Sequence, residues 1–508
     1  MRNRFQRIFC IAHFLGHLLQ ILGLVLLIPL VVVFIRWGQG GDGLRTAIAF
    51  VVPGVGCFGV GSFLRSTFVP GTLDTTSSML MCALGWIMAS VFGALPFVIT
   101  RECNYLNAYF EAMSGFTTTG ITVLSGLDRM PYSILFWRSL TQWLGGIGIL
   151  SFFLMVTYRG SGAHHIFGAE SHKIASTRPR PGLYNTLVIL WSIYILFTFV
   201  CALALALAKM PGFDAVCHSL TALSTGGFSP HDASIEFYRL SGHVHYRAIE
   251  YTLAFFMLLG GINFLVHYRL LTGDFKALWD NIEIRYWGRM IAIFTLIVLV
   301  DHWRQAGLLR AWFIDLETIE PGDVERGFRS GLFQVISILT STGYSTQDIG
   351  SSFFGELSRQ LFLVMMVIGG CVGSTSGGFK VMRIAILNRL VYREVFKSRV
   401  SSRASLDLVI DGKAVPAEEV QRIGALFFAW LGFIVVGGAI TALLSNHGAL
   451  ASLSGMFSAV GNIGPCYISV QEMIAMNPLV KITYLIGMLA GRLEILPVLL
   501  LFSRRAWR

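Results

Sequence analysis

The chain has 508 residues, of which 54% are hydrophobic and only 13% charged, and its formal net charge is +11. With a mean hydropathy of +0.66, it carries more apolar surface than soluble domains of ordinary size bury. The composition excludes a soluble globular protein and predicts an all-α polytopic membrane protein.

Ten segments reach the roughly 20 residues that cross a bilayer core of about 30 Å. In chain order they are Ile8–Ile35, Leu44–Leu64, Thr75–Ile99, Pro131–Thr157, Leu183–Ala208, Ile249–Leu271, Trp287–Trp303, Leu361–Leu390, Ile423–Leu444 and Val480–Phe502. The basic start MRNRFQR precedes an apolar run about twice the length of a signal-peptide core, with no small-residue cleavage pattern, and predicts a retained helix. Lys and Arg collect at Arg2, Arg4 and Arg7, in Arg159–Arg180, in Lys380–Arg422, and at Arg504, Arg505 and Arg508. By the positive-inside rule these segments face the cytoplasm. The loop Arg304–Arg329 balances its bases with Asp315, Glu317, Glu320, Asp323 and Glu325, as an external loop can. An even number of spans then leaves both termini inside.

The bases flank spans instead of forming one patch, so the net charge is topological and no nucleic-acid partner is expected. The eight cysteines (Cys10, Cys57, Cys82, Cys103, Cys201, Cys217, Cys371, Cys466) are scattered without a C-x-x-C pair, which predicts packing residues. The match of Gly54-Val-Gly56-Cys-Phe-Gly59 to G-x-G-x-x-G follows no strand and predicts small-residue helix packing. His164 and His165, in a basic loop, are expected to be solvated. No G-x-S-x-G, H-E-x-x-H or P-loop occurs, so an enzyme is not expected.

Four short semi-apolar stretches, too short to span, each lie between two full spans. They are NYLNAYFEAMSGF, DAVCHSLTAL, ERGFRSGLFQVISIL and ASLSGMFSA. Each leads into a glycine-containing turn: Thr119-Gly120-Ile121, Thr225-Gly226-Gly227, Thr342-Gly343-Tyr344 and Val460-Gly461-Asn462. The glycines of this alignment recur 106, 117 and 118 residues apart. A helix of about 12 residues is near 18 Å long and ends at mid-membrane. Irregular backbone at that depth is tolerated only in protein or beside a watery cavity, which four turns around one axis would provide. Helix C-termini aimed at that axis, with turn carbonyls, would suit a dehydrated cation.

The motifs MSGFTTTG, RSLTQWLGGIGI, LSTGGFS, TSTGYST, GGCVGSTSGGFKVMRI, GNIGP and GRLEIL resemble the Trk/Ktr/HKT superfamily of potassium transporters, most closely its bacterial TrkH/TrkG type, along essentially the whole chain. The resemblance implies a two-helix extension at 1–70 and pore repeats at 71–160, 181–272, 285–400 and 418–508. It implies a transported potassium ion with no organic cofactor, a homodimer in the bacterial inner membrane, and a cytoplasmic nucleotide-binding regulatory subunit of the TrkA type. The filter positions are then Thr118, Thr119, Gly120, Ser224, Thr225, Gly226, Ser341, Thr342, Gly343, Val460, Gly461 and Asn462. A single glycine at each aligned position, fewer than in tetrameric potassium channels, predicts modest selectivity over sodium. Gly120 favours potassium, since plant relatives with serine there are associated with sodium.

The stretch 368–380 interrupts the eighth span with Gly369, Gly370, Gly373, Ser374, Thr375, Ser376, Gly377 and Gly378. Each glycine costs a helix about 1 kcal/mol relative to alanine, so a break is expected. The resemblance implies a gating loop there, and a pore position below the filter for Arg492. An arginine at mid-span costs at least about 2.5–3.5 kcal/mol and needs a cavity or a partner, for which Glu111 is one candidate. The alternative function is a proton- or sodium-coupled alternating-access symporter, which usually shows two broken spans and inward carboxylates. Only one span reads as broken here.

Overall fold

The computed structural model describes residues 2–71, 73–148, 151, 183–307, 321–397, 408–410 and 413–507. Among them the regular secondary structure is helical apart from one hairpin that pairs Val409 with Ala414 and Ile410 with Lys413. The segment 152–182, with His164 and His165, lies outside the described residues. So do Asp315, Glu317, Glu320, Arg399 and Arg403.

Arg2–Val25 and Leu44–Thr67 form an antiparallel pair held by facing glycines. A Cβ at Gly16 would sit 2.7 Å from the Gly61 carbonyl oxygen, and one at Gly23 equally close to that of Gly54. Backbones approach this closely only where side chains are absent. Gly54 therefore packs as expected, whereas Gly56 and Gly59 face open space.

Four units follow, each an outer helix, a pore helix and an inner helix. The outer helices are Thr75–Ile99, Leu183–Leu207, Ile282–Gln305 and Ala417–Leu444. The pore helices are Tyr105–Phe116, Gly212–Leu223, Pro321–Leu339 and Ala449–Gly461. The inner helices start with Tyr132–Ile147, Tyr246–Gly261, Glu356–Ile368 and Pro478–Arg492. Side chains close several N-termini: Asp74 accepts from Ser77 N at 2.7 Å, and Asn104 from Asn107 N at 3.0 Å.

The inner helices depart from the sequence expectation. Five described helices are long and apolar enough to cross a membrane, and a sixth counts if Tyr246–Gly261 and Phe264–Leu271, bent by 103°, form one span. The predicted span Pro131–Thr157 begins with a helix that stops at Ile147, where Gly148 adopts φ +94°. Val480–Phe502 is cut by Glu494 and Ile495, both at positive φ, before Leu496–Phe502 resumes. Leu361–Leu390 breaks at Gly369 and resumes at Val381. The expectation of a single broken span is thus corrected to breaks in the second, third and fourth inner helices. Arg7 donates to the Ala506 carbonyl at 3.0 Å and pairs with Asp74 at 2.9 Å, so the first helix meets the C-terminal segment.

Candidate functional site

Each pore helix ends in the same two hydrogen bonds. Thr118 N donates to Gly115 O and Thr119 N to Ser114 O; Thr225 N donates to Ala222 O and Gly226 N to Thr221 O. Ser341 N and Thr342 N repeat this toward Ile338 O and Ser337 O, as do Asn462 N and Ile463 N toward Ala459 O and Ser458 O. This is the Schellman closure, which needs a left-handed residue after the helix. Thr118, Thr225, Ser341 and Asn462 supply it with φ of 52°, 51°, 54° and 53°. Such a conformation costs a non-glycine residue about 1–2 kcal/mol, so the surroundings must hold it.

Two residues further on lies a left-handed glycine in every repeat: Gly120, Gly227, Gly343 and Gly464, with φ of 82°, 77°, 86° and 107°. The structural register therefore corrects the sequence alignment. Gly227 and Gly464, not Gly226 and Gly461, match Gly120 and Gly343. Apolar and glycine-rich neighbours on both sides allowed the slip of one residue in repeat two and three in repeat four. Val460 and Gly461 lie in the last turn of the pore helix.

These glycines close a ring. A Cβ on Gly120 would collide with Gly226 O, one on Gly227 with Thr342 O, and one on Gly343 with Ile463 O. One on Gly464 would sit 3.1 Å from Thr119 O. Each turn thus presses its glycine against a carbonyl of the next, and the fourth returns to the first. Four negative helix ends and their carbonyls converge on one axis. Hydroxyls add to them, with Thr117 and Thr119 Oγ1 atoms 2.7 Å apart and those of Thr340 and Thr342 likewise. Among the described residues no group of three His, Cys, Asp or Glu side chains could hold a metal ion. The oxygens available here are carbonyls and hydroxyls.

On one side of the ring opens a cavity of about 750 Å³, floored by Gly120, Gly227, Gly343 and Gly464 and bordered by Asp232, Asp348 and Glu472. At its rim His231 bridges Asp128 at 2.5 Å and Asp214 at 3.0 Å, joining the first two repeats. Burial alone would lower the His231 pKa, but the hydrogen bonds to the two carboxylates outweigh it and raise the imidazole above its ordinary value.

On the other side the segment 369–380 crosses beneath the turns. Thr375 Oγ1 donates to Leu223 O at 2.9 Å, and Ser376 Oγ meets Ser341 Oγ at 2.9 Å. Gly378 N donates to Gly461 O at 2.9 Å, and Cys371 N to Gly261 O at 3.0 Å. Gly369, Gly373 and Gly378 all take φ near +75°. Gly370 and Gly377 have no room for a side chain, against Ser376 and Gly461 O respectively. Glu283, on the third outer helix, accepts from Val372 N at 2.7 Å and ties the crossing segment to the wall.

Arg492 reaches the same level. Its guanidinium donates to Thr118 Oγ1 at 3.1 Å, Thr375 O at 3.0 Å and Gly146 O at 2.7 Å, and also to Gly145 O. The candidate partner Glu111 is instead held by Arg138 at 2.8 Å, with both side chains out of solvent, which corrects that pairing. Glu494 pairs with Arg383 at 2.6 Å. Aligning the inner helices on Gly145-Gly146, Gly260-Gly261 and Gly369-Gly370 puts Gly491-Arg492 in the fourth place. Arg492 thus stands where three repeats carry a second glycine, a substitution legible in the sequence once the inner helices are superposed. The same superposition would have singled out Arg138 and Gln142.

Residues 57–507 match the TrkH family of cation transport proteins. The chain is 35% identical over 447 residues to the Trk system potassium uptake protein TrkH of Escherichia coli, covering 86% of this chain and 87% of that one. It is 29% identical over 506 residues to TrkG of the same organism, covering 98% of each. The crystal structure of the potassium transporter TrkH from Vibrio parahaemolyticus superposes with a TM-score of 0.83 at 29% identity, over 100% of both chains.

Proposed function

The chain belongs to the TrkH family of cation transport proteins, and from that premise we propose that it takes up potassium across the bacterial inner membrane through the ring of four turns. The observation that carries this reading is the closed contact of Gly120, Gly227, Gly343 and Gly464 with their neighbours' carbonyls. Dehydrating a cation requires fixed oxygens around it. In the structural register the filter comprises residues 118–120, 225–227, 341–343 and 462–464. Segment 369–380 and Arg492 act as the gate beneath it, and the acidic cavity is the external entrance. Both termini then face the cytoplasm.

The chain works as a homodimer with a nucleotide-binding regulatory subunit of the TrkA type. Support for that partner's site comes from Val381–Lys397, which leaves the gate segment directly and presents Arg393, Lys397 and exposed Tyr392. Purified protein in liposomes tests the reading. Uptake of rubidium should be competed by potassium more strongly than by sodium, and planar-bilayer recordings should show unitary currents. Equal competition by sodium would overturn the selectivity, and turnover without unitary currents would favour the alternating-access symporter.

A further inference from the structure

Gln142 is completely buried on the first inner helix, yet it bonds to the turn of the second repeat. Its Nε2 donates to Gly226 O at 2.6 Å, and its Oε1 accepts from Phe228 N at 2.9 Å. One turn earlier on the same face, Arg138 donates to Ser229 O at 3.0 Å and lies over the Phe228 ring at 4.2 Å. Its guanidinium also holds Glu111, whose carboxylate accepts from Val123 N at 2.9 Å and from Thr122 Oγ1 at 3.0 Å. A single helix face thus fixes the strands that follow two adjacent turns.

The other inner helices lack this face. With their glycine pairs aligned, the position of Gln142 is Met257, Met366 and Met488, and that of Arg138 is Leu253, Phe362 and Tyr484. Methionine has no N–H or O–H to donate. Gly226 supplies a second, independent sign. A Cβ there would run into the Gln142 amide, whereas the adjacent Gly227 is needed against Thr342 O. The double glycine of repeat two therefore serves two contacts, one for the ring and one for the glutamine.

We propose that Gln142, supported by Arg138, is a specificity-determining positioning residue that fixes the Gly226 carbonyl and makes the filter asymmetric. A carbonyl pinned by an amide cannot move inward to follow a smaller ion, so sodium is coordinated less well at that quarter of the ring. The inference rests on the reading of the ring as the potassium filter.

The test compares potassium and sodium permeability of the full-length protein in liposomes for wild type, Gln142→Met, Gln142→Leu, Gly227→Ser and Met257→Leu. Gln142→Met, the residue of the other three repeats, should lower the potassium-to-sodium ratio by about five-fold, the scale of one buried hydrogen bond, with total cation flux retained. Should that variant fail to fold, Gln142→Leu, whose side chain has no donor for Gly226 O, should lower the ratio similarly. Met257→Leu serves as the control and should leave it unchanged. If Gly227→Ser collapses the ratio while both folded Gln142 variants keep it, the brace is wrong and the filter stands. If wild type does not discriminate, the filter reading itself falls.

Discussion

Arg492 donates to Thr118 Oγ1 at 3.1 Å, joining the last inner helix to the residue that closes the first pore helix. The same guanidinium holds Thr375 O of the crossing segment and the carbonyls that end the first inner helix. Those carbonyls form a negative helix terminus, which explains how a charge is tolerated at this depth. A unit charge near 10 Å from a passing cation adds about 1–2 kcal/mol at an effective dielectric near 20. Arg492→Ala should therefore raise basal rubidium flux about ten-fold. Arg492→Lys, which keeps the charge, should stay near wild type. Unchanged flux through well-folded Arg492→Ala protein would remove this residue from the pathway.

The register of the ring makes a second test. Gly227→Ser and Gly464→Ser put a side chain on left-handed residues pressed against a neighbour's backbone. Each should lose most potassium-over-sodium discrimination at normal membrane expression, as should Gly120→Ser. Val460→Thr restores the hydroxyl that the sequence alignment expects in the fourth turn, yet Val460 lies in helix and is buried. Its selectivity should stay near wild type, because the new hydroxyl lies inside the pore helix, outside the ring of left-handed glycines, and can bond to a carbonyl of the preceding turn. A gain in discrimination by Val460→Thr would restore the sequence register.

Hydropathy revealed the membrane class and the fourfold unit because spans and half-spans differ in length, a property of residues counted along the chain. The register inside the turns was not legible in the same way. Thr225-Gly226-Gly227 offers two glycines, and Gly461-Asn462-Ile463-Gly464 offers two more. Only the left-handed angles and the Schellman bonds choose between them. The breaks at Ile262 and Leu493 were hidden for a related reason. Long apolar runs lie on either side of Gly261-Ile262-Asn263 and of Arg492-Leu493-Glu494 and dominate the hydropathy of each span, and the bends arise where inner helices meet the crossing segment, as in Phe264 N donating to Gly373 O at 3.1 Å. Glu111 misled because its partner Arg138 is 27 residues away on another helix.

His231 gives a pH dependence. Its imidazolium lies between Asp128 and Asp214, stacks on Phe237 and meets the edge of Tyr238, and its pKa is raised above 6.5. A pKa higher in the folded than in the unfolded state stabilises fully below the unfolded value, and the gain is lost as pH rises through the folded value. Thermal melts of detergent-solubilised protein should show His231→Gln destabilised most near pH 6 and least near pH 9. An equal loss at both values would mean that the ring acts only by stacking.

The crossing segment supplies the last prediction. Thr375, Ser376 and Gly378 tie it to the ends of three pore helices, and Glu283 ties Val372 to the third outer helix. At about 1 kcal/mol net for each hydrogen bond, these four hold it in place by a few kcal/mol, an amount on the scale of the coupling between two binding sites. Lys380 ends the segment and Val381–Lys397 begins at once, so a pull on that helix reaches the bonds without slack. Deleting three residues within Gly373–Gly378 removes the bonds of Thr375 and Ser376 and shortens the span available to cross beneath the ring. Rubidium uptake should rise several-fold and lose most of its dependence on the regulatory subunit. Glu283→Gln, which weakens the anchor without shortening the segment, should raise uptake less and keep regulation. A deletion variant that folds, yet stays fully regulated or conducts less, would show that the segment packs the pore and does not gate it.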